Sequence, residues 1–358
     1  MKNYFKRSLL LFCASTILLT FVACGGTSNT TGTTAPTANT SGEEKAVTVR
    51  WATSVSQNEI DSNKTPTAIT INTWVKTVEE ASKGTINVEV FGGSQLANGT
   101  DDTISGVLNG AFEMAQINTG SWGDYTNAFA ALNVPYLYTD FSEVHKVMDS
   151  DFGKSMLDQV KKDVGVVPLC YGDIGYRHIT NSKGIIKSPA DLAGLKIRTM
   201  TDSVQISAMN DLGAAVTPLA ISELFSALQQ KLVDAQENPL STIYAQKYYE
   251  VQKFCTLTKH SYTTTILFMN EQFFNSLSDS QKVAIETAND TATKAGRAVL
   301  ESSEKENKQK LETAGMQFYE LSDSEMAAFQ NSVKPTWEKV KSAMGEQKWN
   351  ELMSAIGK

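Results

Sequence analysis

Apolar and polar positions divide this chain into two unequal parts near residue 46. Beyond that point "VTVRWA" at 47–52 alternates as a strand does. Ile71, Trp74, Val75 and Val78 then recur at helical spacing, and Gly84 sits where a helix would be capped. "TINVEVF" predicts a second strand, "TDDTISGVLNG" a short helix with an acidic start, and "AFEMAQI" a third strand. This β-α-β-α-β order marks a mostly parallel α/β sheet.

The pattern continues through "FSEVHKVMDSDFGKSMLDQVKKDVG", which is helical with a weak point near Asp151–Gly153, and the strand "VVPLCYG". The strand "LKIR" ends in Arg198. A helix follows it, with Asp202 or Ser203 as N-cap and Gly213 at its end. "AAVTPL" predicts a strand, "ISELFSALQQK" an amphipathic helix, and the β-branched "SYTTTILFMN" a long strand. From Asp279 to about Ala314, Ala284, Ala288, Ala292, Ala295 and Val299 keep one helical stripe. Ser278 and Gln281 form a capping-box pattern before it, and Gly315 closes it. At 1.5 Å per residue this predicts one helix of ~50 Å, long enough to span two domains. "MQFYEL" predicts a late strand, and two helical stretches end the chain.

The first part reads as a processing signal and a tether. "MKNYFKR" is basic and "SLLLFCASTILLTFVA" apolar but short for a membrane span, so residues 1–23 are expected to be a signal peptide. "FVAC" resembles a lipobox, although Phe21 stands where Leu is usual, and makes Cys24 the expected lipidated residue. Cleavage nearby with free secretion is the other reading. Residues 24–46, rich in Gly, Ser and Thr, cannot bury enough apolar area to fold and suit a flexible tether.

With 358 residues the chain is long enough for two ordinary domains, and its net charge of −7 with no basic run argues against nucleic acid as a partner. Of four cysteines, Cys170 and Cys255 belong to the folded part; free buried thiols are the expected state, and a disulfide is the alternative. His145, His178 and His260 show no metal-ligand spacing, so no metal site is expected. No hydrolase, nucleotide-binding or dinucleotide-binding pattern occurs, and neither a catalytic residue nor a cofactor is expected. Asp101 and Asp102 are paired carboxylates, but a helix N-terminus explains them.

Binding chemistry concentrates in "LAGLKIRTMTDSVQISAMNDLGAAVTPLAISELFSALQQKLVDAQENPLSTIYAQKYYE", Leu192 to Glu250. A guanidinium at the end of an apolar strand offers a planar fork to a carboxylate. Taken alone, Arg198 fits an internal ion pair as well as a ligand. The order GLKIR, TP, SE, AL, DAQENP resembles the solute-binding subunits of TRAP transporters, the DctP family.

That resemblance implies a two-lobed α/β fold of the periplasmic-binding-protein type, with a long helix bridging both lobes. Lobe I is expected from 47–175 plus 264–303 and lobe II from 176–263 plus 304–358. It further implies that Arg198 grips the carboxylate of a small organic acid, that Arg177 faces the same ligand, and that Asn238 opposes it. Residue patterns alone leave Arg177 open as a surface residue and Asn238 as a helix N-cap. Asn118, Trp122 and Ile221 are specificity candidates; Thr53 and Ser54 are weaker ones. The partners implied are an organic acid and TRAP membrane permease subunits. The protein is expected outside the cytoplasm, lipid-anchored and monomeric. Presentation of ligand to a membrane sensor kinase is the alternative role.

Overall fold

The computed structural model describes residues 44–358, so the expected signal peptide, Cys24 and most of the tether lie outside the described residues. The first half of the fold comprises β1 (Val47–Thr53), α1 (Gln57–Ser62), α2 (Pro66–Ala81), β2 (Ile86–Phe91), α3 (Thr100–Leu108) and β3 (Met114–Asn118). It continues through α4 (Phe141–Asp149), α5 (Asp151–Val164), β4 (Val166–Asn181), β5 (Lys196–Thr199), α6 (Ser203–Asp211) and β6 (Ala215–Pro218). Then come α7 (Ile221–Gln229), β7 (Ala235–Pro239), α8 (Leu240–Ala245), β8 (Phe254–Leu257), β9 (Tyr262–Asn270) and α9 (Glu271–Ser276). The chain closes with α10 (Asp279–Ala298), α11 (Leu300–Thr313), β10 (Gln317–Glu320), α12 (Asp323–Ser332), α13 (Lys334–Met344) and α14 (Glu346–Ile356).

Strand order β2-β1-β3-β9-β4 forms one half of the sheet system and β10-β8-β4-β7-β5-β6 the other. β1 pairs with β2 and β3 in parallel, as the alternating pattern predicts. β4 belongs to both halves. Its first part, Val166 to Tyr176, runs antiparallel to β9; its last part, Arg177 to Asn181, lies between β7 and β8. The register slips between Asp173 and Gly175, and Gly175 takes φ 130, a conformation a side chain would strain. The two lobes thus share one kinked strand.

The sheet is mixed rather than mostly parallel as expected, because β9 and β4 run antiparallel to their neighbours, and each lobe covers both faces of its part with amphipathic helices. In lobe I, α2 and α10 bury Ile71, Trp74, Val78, Ala284 and Ala288 against Trp51 and Met269. In lobe II, α6 and α12 pack Met209 and Phe329 over Ile197, while α7, α8 and α11 enclose Tyr248 and Cys255. Cys170 and Cys255 are both free thiols.

Two further expectations are corrected. The stripe from Asp279 forms the expected capping box at Ser278 and Gln281, but it is not one helix: Val299, at φ −109 and ψ 0, separates α10 from α11. α10 packs on α2 of lobe I and α11 on α8 of lobe II, so the two segments follow different surfaces. The C-terminal helix also departs from the 304–358 assignment. Trp349, Leu352 and Ile356 of α14 enter the core of lobe I with Val144 and Met148 of α4, because their apolar stripe finds its complement there.

Candidate functional site

Between the lobes lies a cavity of about 300 Å³ at the C-terminal ends of parallel strands from both sides. Open α/β sheets place ligands there, since the strand ends and following loops converge without a helix covering them. Lobe I contributes Thr53 and Ser54 after β1, Gln116 and Asn118 from β3, and the start of α3. Lobe II contributes Arg198 from β5, Ile221 at the start of α7 and Asn238 from β7.

Arg198 is only 2% exposed. Its Nε and Nη2 donate to a single acceptor, the Leu219 carbonyl, at 2.9 and 2.6 Å. Among the described residues no carboxylate lies within ion-pair distance of it. Burial pushes its pKa down to about 10, opposed by the charge of Glu237, so the guanidinium still carries its charge at neutral pH. A buried cation held by one carbonyl is costly unless an anion joins it.

Asn238 is not a helix cap, because Pro239 holds the N-cap position of α8. Its Oδ1 accepts from Arg177 Nη2 at 3.1 Å and its Nδ2 donates to Gln236 Oε1. An amide nitrogen has two N–H bonds, so one remains for the cavity.

Arg177 does not line the cavity, which corrects its expected contact with ligand. Its fork is occupied: Nε and Nη2 bind the Glu237 carboxylate, Nη2 also donates to the Glu237 carbonyl, and Nη1 donates to Thr263 Oγ1 at 2.9 Å. Burial opposes ionisation of Glu237, but Arg177 and the bond with His260 outweigh it and bring its pKa to about 2. Burial holds His260 below its ordinary value, against the raising effect of its bond to Glu237, and the Glu237 carboxylate faces the Arg177 fork directly. Trp122 is likewise corrected. It is fully buried, edge-on to Phe268 at 4.9 Å and Phe129 at 6.0 Å, and belongs to the core rather than to a ligand wall.

Reading the sequence missed Glu237 and Gln116. Glu237 is the one acid in "DAQENPL" set inside the strand β7, between the polar Gln236 and Asn238, and Gln116 shares the face of Asn118 two residues on; the run of polar residues in β7 and the polar pair in β3 were the visible signals. Contacts between the lobes include one at the mouth of the cavity and one behind it. Ser222 Oγ donates to Asn98 Oδ1 at 3.2 Å across its mouth. Behind it, Asp202 packs so close to Gly120 that a Cβ there would lie 2.2 Å from Asp202 Oδ2.

The profile of the family described as "Bacterial extracellular solute-binding protein, family 7", DctP, matches residues 57–343. This chain belongs to the DctP family. A DctP relative, a solute-binding protein of Verminephrobacter eiseniae, is 32% identical over 287 residues, 80% of this chain and 84% of that one. A TRAP periplasmic solute-binding protein from Bordetella, with density taken as pantoate, superposes with TM-score 0.79 at 30% identity, covering 85% of this chain and 98% of the other. The sugar acid binding protein DctPAm from Advenella mimigardefordensis, in complex with galactonate, gives TM-score 0.82 at 28% identity over 88% and 99%. The two-lobed fold is therefore that of the DctP solute-binding proteins, and the chain is an extracytoplasmic solute-binding protein. Among the described residues no helix is long and apolar enough to cross a membrane.

Proposed function

We propose that this chain is the solute-binding subunit of a TRAP-type secondary transporter. It captures a small organic acid between its lobes and delivers it to membrane permease subunits, tethered through lipidated Cys24. The observation that carries this reading is Arg198, a buried fork at an interlobe cavity with one carbonyl as its hydrogen-bond partner among the described residues. Asn238 offers a second donor beside it, held in place by Arg177. The solved relatives bound to pantoate and galactonate, both carboxylates, support the same assignment. An acid touching Arg198 and Asn238 on one lobe and Asn118 on the other favours the closed arrangement by contacts that an open one lacks.

Ligand that binds only the folded protein raises its melting temperature. Across a panel of organic acids, the expected outcome is a shift of several degrees with at least one acid and none with its primary amide. Equal shifts by acid and amide would exclude a carboxylate anchor.

A further inference from the structure

The walls of the interlobe cavity describe the acid more closely. Arg198 is the one Lys or Arg side chain among the lining residues. Its neighbour Arg177 is neutralised by Glu237. At the rim stand two exposed acids, Asp101 and Asp124. One carboxylate is therefore matched, and a second would find no cation and two like charges.

The rest of the wall is rich in hydroxyls and amides, among them Thr53, Gln116, Asn118, Ser121 and Thr265. Gln116 is the most informative. It is 5% exposed, and its Nε2 donates to Thr265 Oγ1 at 2.8 Å. Thr265 is itself fixed: it stands opposite Asn118 in the β3–β9 ladder, and Gly172 leaves room for its hydroxyl, where a Cβ would come within 2.5 Å. Gln116 Oε1 is buried and has no partner among the described residues. An amide oxygen only accepts, and a buried acceptor left unmatched costs about 1–3 kcal/mol. A carboxylate, a ketone or a methylene cannot supply the missing donor. A hydroxyl can.

We propose that the ligand is a polyhydroxylated monocarboxylate, a sugar-acid type of molecule, and that Gln116 determines this specificity by accepting a hydrogen bond from a ligand hydroxyl. The proposal rests on the acid-binding reading of Arg198 and adds the second half of the ligand to it. A cavity of 300 Å³ is at the small end of ligand sites, which suits an acid of a few carbons.

Two length-matched panels test it by calorimetry: erythronate, butanoate, 2-oxobutanoate and succinate; and gluconate, hexanoate and adipate. The hydroxylated acid of at least one panel is expected to bind ~10-fold or more tighter than every other member of that panel. Gln116→Leu is expected to shrink that preference by ~10-fold, with Gln116→Met as a second variant and the melting temperature of each as a check of folding. Tighter binding of succinate, adipate or the oxo acid overturns the proposal while leaving acid binding intact. So does a Gln116→Leu variant that weakens all members of a panel equally. Binding by none of the seven overturns both readings.

Discussion

Arg177 and Arg198 look alike in the sequence, each an arginine next to apolar strand residues. Their difference lies in one partner. Glu237 satisfies Arg177, and nothing comparable among the described residues satisfies Arg198. That contrast is set by β7, more than thirty residues from either arginine, so pattern alone could not assign the two roles. Asp202 makes a similar point. As the N-cap of α6 its Oδ1 accepts from Val204 and Gln205, which the sequence suggested. Its Oδ2, pressed on Gly120 of the other lobe, has no hydrogen-bond partner among the described residues, and burial, with the charge of Glu237 in support and its own capping bonds and Arg177 opposed, raises the pKa to about 7. The unfolded value is ~3.9. The folded state thus holds a proton that the unfolded state releases, and this contribution is full below pH ~4 and lost as pH rises through 7. Asp202→Asn keeps a capping side chain and removes the titration. Denaturant midpoints at pH 4.5 and pH 8 should fall less in the variant than in wild type; equal falls would remove Asp202 from the pH response.

At the scale of elements, periodicity located the longer helices and most strands, and passed over the short elements α1, β7, α8, β8 and α9, which are too brief to show a stripe. It failed where tertiary packing overrode local sequence. In "GRAVLESS" only Gly296 disfavours a helix, and it lies inside α10, yet the helix stops at Val299, where one surface to pack on ends and another begins. The strand expected over "VVPLCYG" runs on through Gly172 and Gly175 to Asn181, because β9 carries the pairing as far as Tyr176 and β7 takes it up from Arg177. The contact of α10 with α2 can be tested. A Cβ at Gly296 would lie 2.2 Å from Thr70 Oγ1 and 3.3 Å from the Pro66 carbonyl. Alanine normally favours a helix interior, by about 1 kcal/mol over glycine. Here Gly296→Ala is expected to destabilise by about 1–3 kcal/mol through overpacking. Adding Thr70→Ala should recover part of the loss, a coupling that a double-mutant cycle measures. Additive losses would show that the helices do not meet as described.

At the scale of the molecule, the two-lobed architecture was legible through family resemblance, since the Leu192–Glu250 block has an unusually specific order. Assembly details were less so. The return of α14 to lobe I depends on complementary surfaces far apart in sequence, and Trp122 looked available to a ligand only because its partners Phe129 and Phe268 were not yet beside it. A second cavity of about 500 Å³ lies between α5, α6 and α13, larger than the interlobe one but lined mainly by apolar groups, with Lys339 and Lys348 exposed at its edge. It lacks a buried, uncompensated charge, and so does not compete as the acid site. What unites the lobes in function is a single fork, and the account stands on it. The most direct measurement is calorimetric titration of wild type, Arg198→Ala and Arg198→Lys with the acid that gives the largest thermal shift, alongside their unliganded melting temperatures. Both variants should stay folded and bind ~100-fold or more weaker, Lys included, because an ammonium cannot reproduce the two-donor geometry; a folded Arg198→Ala variant with near wild-type affinity would contradict the account.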